Sequence, residues 1–293
     1  MPRNRIWASL AVLSVALALL ITAGCGKPAV ERAKQPSLTV NVIDVGQGDA
    51  ILIRTPGEQV TLIDTGDVPA RDKLIAYIKK QGVASIDNLI ITHPHADHLG
   101  GANAILENFP VKHIYDNGHT TTTALYRQYL TLIQKKNIPF DVVKAGGQID
   151  LGGGAILKFY GPPSPPIAGA EANLNNTSIV SRLSLGEFSM MLPGDAEQEE
   201  ENWIVKKYGG ELKSLVLKSG HHGSRTSSSL DFLKAVKPEA AIASLGANND
   251  YHHPHPSTLK RYEEYKMKFF RTDTDGTVTV TSDGKTYSIT KEK

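Results

Sequence analysis

Cysteine is almost missing from this chain. One residue in 293, Cys25, carries a thiol, so no internal disulfide can brace the fold, which must hold by core packing and by any metal it binds. Aromatic side chains are also scarce at 6%, yet 40% of the residues are hydrophobic, enough to bury a sizeable core in one large domain or two fused half-domains. Excess charge is lacking as well: 32 basic against 30 acidic residues give a formal net charge of +2. No global basic field gathers nucleic acid, and any polyanion would need a local groove.

What is present begins with the N-terminus. Arg3 and Arg5 precede an apolar run from Ile6 to Ala23, and small residues lead to Cys25, the three parts of an export signal. The end of the run resembles a bacterial lipobox, with Thr22 where Leu is usual. The expectation is a signal peptide over 1–24, cleavage before Cys25 and a lipid on its thiol; the other reading is an uncleaved anchor. Loss of Arg3 and Arg5 would leave 30 basic residues against 30 acidic ones. Residues 25–37, polar and charged, read as a tether, and the folded domain is expected over 38–293.

Within that domain β-rich and helical stretches alternate. Strands are expected over Leu38–Val45, Ala50–Arg54, Gln59–Asp64 and Ile86–Thr92, with a helix over Pro69–Gln81. Helices near 102–108 and 123–136 and strands near 111–115, 140–144 and 155–160 follow. Ser178–Leu185 and Phe188–Leu192 form a hairpin across Gly186-Glu187. Then come helices over 197–208, 230–236 and 257–265, strands over 214–218 and 240–244, and a terminal β-meander over 268–290. The α/β pattern suggests two sheets face to face, each covered outside by helices.

The chemistry concentrates in the string THPHADHLGG from Thr92, where a buried strand ends. In an extended turn, His93 and His95 would point to one side and Asp97 and His98 to an adjacent one, which suits two cations. Imidazole and carboxylate without thiolate fit Zn²⁺, Mn²⁺ or Fe. Eight of the ten histidines fall in three clusters, here, at His221-His222 and at His252 to His255; His113 and His119 lie outside. Each cluster follows an expected strand, so loops at one sheet edge would bring them together. Asp195, in LPGDAE, sits where a carboxylate could bridge two cations.

Asp64-Thr65-Gly66, HPHADH, the GDA of Asp195 and the HHGS of His221 to Ser224 resemble the ordered motifs of the metallo-β-lactamase superfamily. With VGQGDA (45–50), SRTSSS (224–229), HPHP (253–256) and RTDTDG (271–276), the chain looks most like the soluble hydrolase domain of ComEC-type competence proteins. That resemblance implies an αββα sandwich holding two divalent ions, Zn²⁺ or else Mn²⁺. It places His93, His95 and Asp195 on one ion, and Asp97, His98, Asp195 and a histidine of HHGS on the other, with His221 taken ahead of His222. Asp64 would orient a ligand histidine, and Asp97, His98 and His255 would serve catalysis. Many members carry a further histidine before the GDA motif, where this chain reads Asn173 to Ser178. The first ion is therefore expected to be held more loosely, with Asn176 as the stand-in ahead of His119.

The function expected is hydrolysis of phosphodiester bonds, plausibly in DNA, with Ser224, Arg225, His253 and His255 on phosphate. No polytopic membrane region accompanies it, so the reading is a free-standing lipoprotein on the outer face of the bacterial cytoplasmic membrane, with no protein partner inferable. The alternatives are a phosphocholine or teichoic-acid esterase and a non-catalytic, metal-stabilised DNA-binding lipoprotein. β-Lactam hydrolysis is disfavoured by the missing histidine and by the HHGS and HPHP motifs.

Overall fold

The central strands of this chain carry apolar residues on both faces, as in ILIR, VTLI, FSMML and AAIA, the pattern of strands covered on both sides. A computed structural model describes residues 37–169 and 173–293. The expected signal peptide, Cys25 and the tether up to Pro36 lie outside the described residues.

In chain order the elements are β1 (Leu38–Val42), β2 (Ile51–Arg54), β3 (Val60–Ile63), α1 (Arg71–Lys80), β4 (Ile86–Ile91), α2 (Ala96–Leu99), α3 (Ala102–Asn108), β5 (Val111–Asp116), α4 (Ala124–Lys136), β6 (Phe140–Val142), β7 (Gln148–Asp150), β8 (Ile156–Phe159), β9 (Ser181–Leu185) and β10 (Phe188–Leu192). Then follow α5 (Gln198–Tyr208), β11 (Val216–Lys218), α6 (Leu230–Val236), β12 (Ala240–Ala243), α7 (Pro256–Glu264), β13 (Lys268–Arg271), α8 (Thr272–Asp275), β14 (Val278–Ser282) and β15 (Tyr287–Lys291). Among the described residues they form one sheet ordered β15-β14-β1-β2-β3-β4-β5-β6 and a second ordered β13-β12-β11-β10-β9-β8-β7.

Three apolar layers follow from the alternation. Ile51, Ile53, Ile63 and Ile90 of the first sheet meet Leu183, Phe188, Met190, Leu192 and Val216 of the second. Their neighbours Leu52, Leu62, Leu89 and Ile91 turn outward onto Leu74 and Ile78 of α1, Ile105 of α3 and Tyr129 of α4. Met191, Leu217 and Ala241 likewise turn outward onto Ile204 of α5, Phe232 and Leu233 of α6 and Tyr262 of α7. The result is the expected αββα sandwich.

Two expectations fail. The terminal stretch is no single meander: β13 lies parallel to β12 in the second sheet, whereas β14 pairs antiparallel with β1 in the first. Between them, α8 carries the chain from one sheet to the other, a long-range pairing that local pattern does not encode. The strand β7 was not anticipated either, because its three residues, Gln-Ile-Asp, hold one apolar side chain.

The topology gathers loops at one edge. β4 runs parallel to β3 and β5, and β10, β11 and β12 run parallel to one another, so their C-terminal ends open on the same side. Open α/β sheets place chemistry at such ends.

Candidate metal centre

His93 to His98 leave β4 differently from the extended turn the spacing suggested. Backbone at His95 is extended, but Ala96–Leu99 closes a helical turn that carries both Asp97 and His98. Asp97, His98, Asp195 and His222 each offer one ligand atom, all within 4.8 Å of one another. Asp195 Oδ2 lies 3.2 Å from Nε2 of both His98 and His222, and Asp97 Oδ2 lies 3.2 Å from His222 Nε2.

The neighbouring shell aims these atoms. His98 Nδ1 donates to Asp64 Oδ2 at 2.7 Å, while Asp64 is itself fixed by the Thr92 N–H at 2.8 Å and hydroxyl at 2.7 Å. His222 Nδ1 donates to the Ser244 carbonyl at 2.8 Å. Each ring therefore turns Nε2 toward the carboxylates, the usual way of orienting a ligand histidine. Buried and without a hydrogen-bond partner are His98 Nε2, His222 Nε2 and Asp195 Oδ1. Orphaned buried polar atoms cost free energy, and a divalent cation between Asp195 Oδ2 and the two imidazoles satisfies both Nε2 atoms, so the residues fit such an ion.

Electrostatics agree. Burial disfavours charge on His98, but the carboxylates of Asp195, Asp64 and Asp97 outweigh it and raise its pKa well above the ordinary value. Asp195 raises His222 in the same way against burial. Asp195 and Asp97 are lowered despite burial, chiefly by His222 and His98 respectively.

The histidine of HHGS in this cluster is His222, where His221 was expected first. Both adopt left-handed backbone, φ 46° and 55°, and the kink sends the two rings apart. His221 Nε2 stands 3.8 Å from Asp195 Oδ2, and its Nδ1 lies 3.1 Å from Glu197 Oε1. His93 and His95 lie outside the four-residue cluster; His93 Nε2 is 3.0 Å from His95 Nδ1, and the His93 ring packs 4.1 Å from that of His98.

Asn176 is not poised as a ligand. Its carbonyl oxygen accepts from the Glu197 and Glu200 N–H groups at 3.1 and 3.4 Å, and its amide donates to Glu199, so it caps α5 from a distance. Asn175 lines the cavity instead, with a buried unpartnered oxygen. His119 is not among the lining residues.

Ser224, Arg225 and His255 do not line the cavity either. The Ser224 hydroxyl pairs with Thr226 at 2.9 Å, and His255 Nδ1 accepts the Arg225 backbone N–H at 3.0 Å just before α7 begins. These residues knit the loop. Glu201, fully buried on α5, accepts from the Ser228 and Ser229 N–H groups at 2.6 and 2.8 Å, and burial pushes its pKa up to about 7.

Sequence reading missed Asp49 and Lys218. Both are fully buried, and Lys218 Nζ meets Asp49 Oδ2 at 2.5 Å, the Gly194 carbonyl at 3.2 Å and Asp195 Oδ1 at 3.6 Å. The detectable signal was a lysine ending the apolar strand β11. Asp49 is delivered by a loop whose Gly48, at φ 115°, lies so close that a Cβ would collide with the Asp97 carbonyl. Asp49 N donates to that carbonyl at 3.1 Å, and Ser244 Oγ donates to the Gly48 carbonyl at 2.6 Å.

Above the cluster opens a cavity of about 610 Å³ whose lining includes Gln47, Asp67, His95, Asp97, Asn175, Asp195, Asp250, Tyr251 and His253. Four aspartates and four histidines line it, and among the described residues neither lysine nor arginine does. Burial and the neighbouring His222 and His221 lower the His253 pKa to about 3, so that ring is neutral.

Two helix-covered sheets with a histidine and carboxylate cradle at one edge define a metal-dependent hydrolase of the αββα class. Residues 43–247 match the family model described as the metallo-beta-lactamase superfamily, and the chain belongs to that superfamily. It is 32% identical over 256 residues to ComE operon protein 3 of Bacillus subtilis, covering 82% of this chain and 32% of that one. With Competence protein ComA of Neisseria gonorrhoeae it shares 32% identity over 260 residues, 88% of this chain and 34% of the relative. These are ComEC-type competence proteins, as the motifs suggested, and the chain spans about a third of their length. The fold is shared with the metallo-beta-lactamase fold protein YhfI of Bacillus subtilis, at TM-score 0.54 and 14% identity, covering 86% of this chain and 99% of that one.

Proposed function

We propose that the chain is a metal-dependent phosphodiesterase acting on nucleic acid, plausibly extracellular DNA. The observation that carries the reading is the cluster of Asp97, His98, Asp195 and His222, open to a cavity and left with orphaned ligand atoms. A second divalent ion would be held by His93, His95 and the shared Asp195, with Zn²⁺ or Mn²⁺ suited to this donor set. Such ions supply Lewis-acid activation of a phosphoryl group and of the attacking water. Asp64 and Ser244 hold the two imidazoles in register, and Asp97, the most exposed of the four ligands, orients the water by hydrogen bonding.

Similarity to proteins named for competence supports nucleic acid as the substrate. A non-catalytic DNA-binding role fits less well, because among the described residues no lysine or arginine lines the cavity. The acidic lining together with Tyr251 favours a second reading, a phosphocholine or teichoic-acid esterase, since an acidic site with an aromatic face suits a quaternary ammonium. The export-like N-terminus supports a cell-surface site for either activity, on a lipid attached to Cys25, which mass spectrometry of the membrane-extracted protein would test.

The chain loaded with Zn²⁺ or Mn²⁺ is expected to cleave single-stranded DNA and bis-nitrophenyl phosphate, and Asp97→Ala is expected to lose turnover with its fold intact. Full metal loading without cleavage of either substrate would refute the phosphodiesterase reading.

A further inference from the structure

Tyr251 is 59% exposed, one of the few large apolar side chains on the surface, and it lines the cavity mouth above the metal cluster. Exposure alone is ordinary for a single side chain, and it is the position of Tyr251 at the cavity mouth and its ring contacts that single it out. Its loop is pinned: the Asn249 amide donates to the Gly246 and His253 carbonyls at 2.9 and 2.8 Å, and Asn249 Oδ1 accepts the His253 N–H at 2.9 Å. The inner face of Tyr251 stacks on His253, centroids 5.6 Å apart and planes 23° from parallel, and His253 lies 6.3 Å and 30° from the cluster residue His222. Three rings thus step from the metal cluster toward solvent with successive tilts of 30° and 23°, and the outer face of Tyr251 is left open on a pinned loop.

We propose that this free face of Tyr251 is the platform on which one nucleobase next to the scissile phosphodiester stacks, which makes unpaired rather than duplex nucleic acid the substrate. The inference rests on the phosphodiesterase reading and specifies its substrate class. Bases inside a duplex already stack on their neighbours, whereas an unpaired base offers its face to a protein ring whatever its identity. Beyond the metal cluster, the described lining offers a polyanion no lysine or arginine, so a stacked base adds a contact that the phosphate lacks there. A quaternary ammonium is the poorer fit: it is best enclosed by several aromatic faces, and among the described residues Tyr251 is the one tyrosine, phenylalanine or tryptophan in the lining.

Two measurements on the Zn²⁺-loaded chain test this. In saturation-transfer NMR with thymidine monophosphate, transfer to the base protons should exceed transfer to the sugar, vanish in Tyr251→Ala and persist in Tyr251→Trp. In kinetics, oligothymidylate should exceed an abasic oligonucleotide of the same length in kcat/KM by about tenfold, a preference that collapses in Tyr251→Ala and survives in Tyr251→Trp. Equal rates on the two oligonucleotides, or a preference kept by Tyr251→Ala, would overturn the proposal. So would a p-nitrophenyl phosphocholine turnover exceeding that of oligothymidylate and lost in Tyr251→Ala, which identifies a cation platform. Base transfer that depends on Tyr251 without cleavage of any phosphodiester would retain the platform and sink the nuclease reading alone.

Discussion

Lys218 Nζ and Asp49 Oδ2 meet at 2.5 Å with both side chains out of reach of solvent, one residue at the end of β11 and the other in the loop before β2. Burial opposes the ammonium charge, but Asp49 and Asp195 hold the lysine cationic. Removing one member of such a pair strands the other, at a cost of about 3–5 kcal/mol. Lys218→Met should therefore lower the melting temperature of the metal-free protein by about 10 °C, and adding Asp49→Asn should recover part of the loss. Scanning calorimetry of the single and double variants reads this; an unchanged single variant would contradict it.

The two histidines of HHGS should separate in metal binding. His222 supplies Nε2 to the cluster, whereas His221 turns Nδ1 to Glu197. His222→Ala should weaken zinc binding by about 100-fold or more, beyond the 10- to 100-fold range of a merely orienting residue, and His221→Ala by less than tenfold. Competition with a chromogenic chelator ranks the two; the reverse order would restore His221 as the ligand.

Metal uptake should release protons. Because the carboxylates favour the protonated form of His98 and His222 and raise both above the ordinary imidazole value, a cation binding their Nε2 atoms must compete with protons. Apparent affinity should rise as pH rises, then level off once pH exceeds the raised values. Calorimetry in buffers of different ionisation enthalpy should count about two protons released per ion at this cluster, and a count of none would exclude charged histidines there.

Glu201 makes a separate pH signature in stability. Its folded pKa of about 7 exceeds the ordinary 4.5, so the folded state holds the proton longer than the unfolded state does. The stabilisation is complete below about pH 4.5 and is lost as pH rises toward 7, a fall of about 3 kcal/mol. Urea unfolding of the metal-free protein across this window should show the slope in the native sequence and a flatter one in Glu201→Gln.

Salt should matter little to turnover. With no lysine or arginine lining the cavity, few condensed counterions are displaced by side chains. The logarithm of kcat/KM on single-stranded DNA should fall against the logarithm of salt with a slope shallower than about −2. A steeper dependence would point to a basic track beyond the cavity.

Much of this molecule could be read from its sequence because the relevant signals are local. The alternation of Ile51, Leu52 and Ile53 announces a strand buried on both faces, and the spacing from His93 to His98 announces ligands. What stayed hidden depends on distant partners. Whether His221 or His222 faces the cluster is decided by left-handed backbone at both positions, and composition carries no trace of it. Asn176 looked like a free amide until α5 packed its N-terminal N–H groups against it. Lys218 and Asp49 lie 169 positions apart by their numbers, and the charge on each hides the fact that it is buried.

The bond from Ser244 Oγ to the Gly48 carbonyl closes a loop of 196 residues, and the same serine's carbonyl orients His222. Contacts between such distant positions form late, since a growing or refolding chain must first bring its ends together. During synthesis, a nascent chain that has not yet emitted Ser244 lacks the acceptor that aims His222, even with every other ligand already made. The metal cluster is thereby completed only once the chain through Ser244 is in place.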